Sequence, residues 1–171
     1  MRRIAIAVTF LLASAAFCAD RPLNSDDSRA LFNRFKAMEG TWKAKSTRGW
    51  SETTTVQVAA KGSAVMSRSF FDDEPKNDGM VTVFYMDGDR LLLTHYCEAG
   101  NQPTLVASSI DDEAHRVTFS FLNGTNLERR PGHMHSVVFR FVDDDHFFSR
   151  WSFFNSGQEQ WFEDTENVRV K

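Results

Sequence analysis

Arg116-Val117-Thr118-Phe119-Ser120-Phe121 and Ser136-Val137-Val138-Phe139-Arg140-Phe141 repeat an apolar side chain at every second position. Successive side chains of a strand point to opposite faces, so each run predicts a strand with one face turned to a core. Working outward, turn-forming residues recur at short intervals: Arg48-Gly49, Lys61-Gly62, Asp87-Gly88-Asp89, Asp111-Asp112-Glu113, Asp143-Asp144-Asp145 and Asn155-Ser156-Gly157. Between them lie about ten predicted strands, near 41–48, 51–60, 63–71, 79–86, 89–97, 103–110, 115–122, 133–142, 145–155 and 158–169. Short polar turns between period-two segments read as consecutive antiparallel hairpins. The longer gaps, Asp72 to Asp78 and Asn123 to Gly132, are expected as loops. An open sheet of that size leaves two edges, whereas closure removes them, so the predicted fold is an all-β, up-and-down antiparallel β-barrel. A barrel of ten strands is wide enough to keep a cavity. A β-sandwich competes, but it needs longer crossing connections than most of these gaps allow.

One segment has the helical period instead. Leu31, Phe32, Phe35 and Met38 fall at three- and four-residue steps, Ser25-Asp26-Asp27 supplies a cap and acidic charge, and Gly40 ends the run. This predicts a single N-terminal helix that caps one end of the barrel.

Before it, Met1-Arg2-Arg3 precedes an apolar run from Ile4 to Ala13 and small residues through Ala16, the order of a secretory signal peptide. The apolar run is shorter than the roughly 20 residues that span a bilayer. The expected organisation is a signal peptide over 1–18, a polar leader over 19–25 and one barrel domain over 26–171. The expected location is periplasmic or secreted, with no membrane span after cleavage. Removing residues 1–18 takes Arg2 and Arg3 away and leaves 18 basic against 23 acidic side chains. That balance argues against nucleic acid as a partner. With only two Cys, Cys18 and Cys97, neither a disulfide-stapled mini-fold nor a Cys-rich zinc module is available.

Met38-Glu39-Gly40-Thr41-Trp42 places a Gly-x-Trp between helix and first strand. That arrangement resembles the start of the calycin barrels: lipocalins, fatty-acid-binding proteins and their bacterial relatives. The resemblance implies that Trp42 closes the barrel bottom and that Arg169, near the C-terminus, lies across it. The segments Thr94-His95-Tyr96-Cys97 and Gly100-Asn101-Gln102-Pro103 are also similar to a stretch found in bacterial lipocalin-like proteins. The chain departs from the family in places. Arg48-Gly49-Trp50 leaves room only for a tight turn where fatty-acid-binding proteins insert two helices. Lys43-Ala44-Lys45 replaces the further glycines of the heme-binding nitrobindins.

His95 and Cys97 share parity with Leu91 and Leu93, which turns both inward if the strand is regular, with Asn101 or Gln102 as partners for the imidazole. His133-Met134-His135 has the spacing at which two imidazoles share one strand face, and His95 with Cys97 repeats it. No carboxylate follows within a few residues, so no metal is assigned. Nine of the chain's 22 aromatic residues lie between Phe139 and Phe162, which predicts either an aromatic-lined pocket or an outward patch suited to a homodimer. The expected function is binding of a small hydrophobic or amphipathic molecule inside the barrel. His95, Cys97, Asn101, Gln102 and His135 are the anchors and Phe139 and Trp151 the wall; no cofactor is expected. Two other readings stay open. One is a barrel enzyme using His95 and His135 for acid–base or metal-assisted chemistry. The other is an envelope or interaction protein whose barrel is filled by its own rings.

Overall fold

The computed structural model describes residues 20–73 and 79–171; the expected signal peptide and part of the Asp72–Asp78 loop lie outside the described residues. A helix, α1 (Ser25–Ala37), is followed by β1 (Gly40–Ser46), β2 (Ser51–Ala59), β3 (Ala64–Phe71), β4 (Met80–Asp87) and β5 (Arg90–Tyr96). Then come β6 (Pro103–Asp111), β7 (Arg116–Gly124), β8 (His133–Phe141), β9 (His146–Asn155) and β10 (Gln158–Arg169). Each strand pairs with its neighbours in sequence, and β10 pairs back to β1, so the ten strands form one closed antiparallel barrel. The connections are of the kind expected. Ser156 and Gly157, the two residues between β9 and β10, both have positive φ (52° and 77°). That is the twist-matching geometry of a two-residue hairpin.

Helix α1 is capped one residue earlier than the sequence suggested. The side chain of Asn24, not Ser25, accepts the N–H groups of Asp26 and Asp27, and the Asp27 carboxylate accepts the Asn24 N–H in return. The reciprocal bonds satisfy donors that a helix N-terminus leaves open. The apolar stripe of α1 turns into the barrel end. Phe35 is 1% exposed and stacks on Phe84 at 4.2 Å between ring centroids, with Phe119, Phe139 and Phe141 edge-on around it. This half of the barrel is packed solid, with Leu91, Leu93, Leu105, Val117 and Val137 fully buried around the rings.

The helix is fastened by a clasp. Trp42 and Arg169 are direct cross-strand partners of β1 and β10. The Arg169 guanidinium lies 4.3 Å from the centre of the Trp42 ring and donates to the carbonyls of Ala37, Glu39 and Asp144. The indole N–H of Trp42 donates to the Met38 carbonyl at 2.8 Å. The last carbonyls of a helix lack intrahelical partners, and here two side chains supply them. Gly40 makes room: its φ is +137°, and a Cβ there would stand 3.0 Å from the Arg169 guanidinium.

Among the described residues, no helix is long and apolar enough to cross a membrane.

Candidate functional site

Above the packed half, the barrel encloses a partly open cavity of about 80 Å³. It runs from Phe35 and Met38, under the helix, to Trp50 and Met80 at the strand ends opposite. Its wall follows the period of two. Glu52, Thr54 and Val56 come from β2, Val65, Ser67 and Ser69 from β3, Met80, Thr82 and Phe84 from β4. Across the barrel stand Phe147, Ser149 and Trp151 of β9 and Glu163, Thr165 and Asn167 of β10. The inward face therefore changes character along the axis. Phe84, Phe139 and Phe147 line it near the helix, with the Asn167 amide beside Phe147, while hydroxyls and two carboxyls line it further out alongside Trp50 and Trp151.

The polar groups are mostly held by one another. Thr54 is 2.7 Å from Ser69 and donates to Glu52 at 3.3 Å; Ser149 and Thr165 are 2.6 Å apart, and Asn167 donates to Thr165 at 3.0 Å. The Glu163 carboxyl accepts from Ser46 at 3.4 Å. Burial raises the pKa of Glu52 to about 7, opposed by the Thr54 bond and reinforced by the charges of Glu163 and Asp72. Burial likewise raises Glu163, opposed by the charge of Arg48 and by bonds from Ser46 and Trp50. A carboxyl withdrawn from water with few donors around it favours its neutral form.

His95 of β5 is the exception to this mutual satisfaction. It is 4% exposed, its Nδ1 meets the Thr82 hydroxyl at 2.9 Å, and its ring centre lies 5.0 Å from that of Trp151. Its Nε2 is buried and has no hydrogen-bond partner. Burial lowers its pKa to about 4, so the ring is neutral at ordinary pH.

Of the seven anchor and wall residues expected from sequence, His95, Phe139 and Trp151 line this cavity; Cys97, Asn101, Gln102 and His135 do not. Cys97 falls beyond the end of β5. Its N–H and C=O close a turn onto Asn101 and Gly100, so strand parity no longer governs it, and burial raises its thiol pKa. Asn101 is fully buried, but it donates to the carbonyls of Arg130 and Gly132 and ties the β5–β6 turn to the loop before β8. Gln102 faces Thr125 in the same tie, through its own N–H and its side chain. A register shift between Met134 and Ser136 turns Met134, rather than His135, into the cavity wall. The His135 ring stacks between Phe121 and Phe154, and its Nδ1 lies 3.1 Å from Nε2 of His133. His133 and His135 thus meet each other but do not join His95 and Cys97.

The polar wall of β10 was missed, along with Glu52 and Thr54. A signal existed: counting back by twos from Arg169, the partner of Trp42, gives Asn167, Thr165 and Glu163. The same parity rule across β1 and β2 pairs Trp42 with Thr54 and so reaches Glu52.

No protein-family model matches the chain. No curated protein matches it either. Among solved structures, a DUF3598-family protein of unknown function from Nostoc punctiforme is 14% identical with a TM-score of 0.43, over 93% of this chain and 54% of that one. The chain therefore spans about half the length of that protein. A second match, EF1p2_mFAP2b, solved bound to DFHBI, is 8% identical with a TM-score of 0.34, over 84% of this chain and 98% of the other.

Proposed function

We propose that the barrel holds a small amphipathic molecule in this cavity, its apolar part against Phe84, Phe139, Phe147 and Trp151 and its polar part among the hydroxyls and carboxyls beyond them. The observation that carries the reading is Nε2 of His95, a buried polar atom without a partner in the wall of a hollow. Leaving such an atom bare costs about 1–3 kcal/mol, which a bound polar group recovers. A few placed polar groups on a mostly apolar wall are the usual composition of a ligand site. The volume sets the scale of the occupant. At about 80 Å³ the hollow is smaller than the roughly 150 Å³ engineered cavity that admits benzene. A long acyl chain does not fit within it. The resemblance of Met38 to Trp42 to the start of calycin barrels supports a carrier role, and the charged-apolar-small order of residues 1–18 supports export to the periplasm or beyond.

The test is thermal unfolding in the presence of short-chain alcohols and amines, run on the native chain and on Ser149→Phe, which fills the hollow. A ligand at a hundred times its Kd stabilises the folded state by about 2.7 kcal/mol. At least one compound should raise the native melting temperature and leave that of Ser149→Phe unchanged. If no compound shifts the native protein, or both proteins shift alike, the reading fails.

A further inference from the structure

The cavity is lined by two carboxyls. Glu52 and Glu163 both line it, and no Lys or Arg does. Their present partners do not neutralise them: Glu52 has the Thr54 hydroxyl, and Glu163 has Ser46 and Trp50. Arg48, whose charge acts on Glu163, lies outside the lining, 4.7 Å from the centre of the Trp161 ring. Two like charges in one hollow are unfavourable unless a proton or a cation comes between them. The buried His95 supplies an independent demand. In the tautomer that gives its Nδ1 proton to Thr82, the unpartnered Nε2 offers a lone pair to a donor in the cavity. Trp50, Trp151 and Phe139 add ring faces, which attract positive charge as well as apolar carbon.

We infer that the occupant is a small alkylammonium ion, its charged nitrogen placed between Glu52 and Glu163 and its carbon chain running toward Phe139 and Phe147. This rests on the reading of the barrel as a small-molecule binder and narrows it to one chemical class. An ammonium satisfies both acceptor types with its three N–H donors, which an alcohol does not match and a carboxylate opposes. The charged and titratable groups that act on the site are Glu52 of β2, Asp72 just past β3, His95 of β5, Glu163 of β10 and Arg48 before β2.

Isothermal titration calorimetry of the full chain at neutral pH, with three probes of one skeleton, decides it: n-butylamine, n-butanol and butanoate. Butylamine should bind at least about tenfold tighter than butanol, and butanoate should give no binding heat. Glu52→Gln and Glu163→Gln should each weaken butylamine by about tenfold while changing butanol less than about twofold. Should either variant fail to fold, the native chain is titrated at falling pH, where butylamine should weaken as the carboxyls gain protons and butanol should hold steady. Butanol or butanoate binding as tightly as butylamine overturns the ammonium assignment and leaves the barrel a binder. Butylamine binding that ignores both glutamine substitutions, or that ignores pH, overturns it as well. Absence of binding by all three probes overturns the assignment and the binding reading together.

Discussion

His95 and Glu52 face one cavity, and burial acts on them in opposite senses. His95 titrates near pH 4 in the folded chain against an ordinary 6.5, so the unfolded chain takes up its proton first. Its contribution to stability is complete above pH 6.5 and is lost as pH falls toward 4, by about 3 kcal/mol. Glu52 titrates near 7 against 4.5, so its contribution is complete below pH 4.5 and is lost as pH rises toward 7, by a similar amount. In the native chain the two slopes oppose each other across the overlap of these windows. Each single variant should therefore expose the other group. With Glu52→Gln, stability measured by urea denaturation should climb with pH from about 4 to 6.5. With His95→Gln it should decline from about 4.5 to 7. Parallel profiles for the two variants would show that one of these groups is exposed to water in solution. The inward face of His95 was readable from its parity with Leu91 and Leu93. That of Glu52 and Glu163 was missed although parity with Trp42 and Arg169 reaches both, because sequence patterning assigns charged residues to the solvent side. On β10 that assumption inverts the strand: Phe162 and Val168 are 48% and 39% exposed, while Glu163, Thr165 and Asn167 are buried.

At the scale of elements, the strands were legible and their irregularities were not. Predicted bounds fall within two residues of the observed ones, because Gly, Asp and Asn mark the turns and a closed antiparallel ladder forces each hairpin to use them. A bulge has no comparable composition. The shift between Met134 and Ser136 re-aims His135 without a Gly or Pro at the shift to announce it, and Cys97 lies outside the cavity lining because its strand ends one residue earlier. The Gly-x-Trp motif proved readable because it serves geometry. Gly40→Ala should both strain a backbone at φ +137° and crowd Arg169, so it should lower the melting temperature more than Arg169→Met, which removes the guanidinium alone. Equal melting temperatures would place no weight on the backbone. Helix α1 supplies two graded expectations. Asn24→Ala removes the cap and should cost about 1 kcal/mol, whereas Phe35→Ala empties the centre of the ring cluster and should cost about 3–5 kcal/mol. Denaturant titration measures both, and a cap that matters as much as Phe35 would mean that the helix does not plug the barrel.

The whole molecule is half a solid and half a vessel. Ring closure leaves no unpaired edge among the ten strands, and the helix with its Trp42–Arg169 clasp stoppers one end. Near the helix, rings and aliphatic side chains fill the interior; toward the other end, hydroxyls and two carboxyls share the wall with Trp50 and Trp151 around the hollow. That division leaves a hollow with both apolar and polar walls. The most direct check is solution NMR of the isotope-labelled chain titrated with n-butylamine. The ring signals of His95, Trp151 and Phe139 should shift together along one saturation curve with the carboxyl carbons of Glu52 and Glu163, while the side-chain signals of Cys97 and His135 stay in place. Saturable shifts confined to residues outside the cavity, with His95 unmoved, would contradict binding in the hollow.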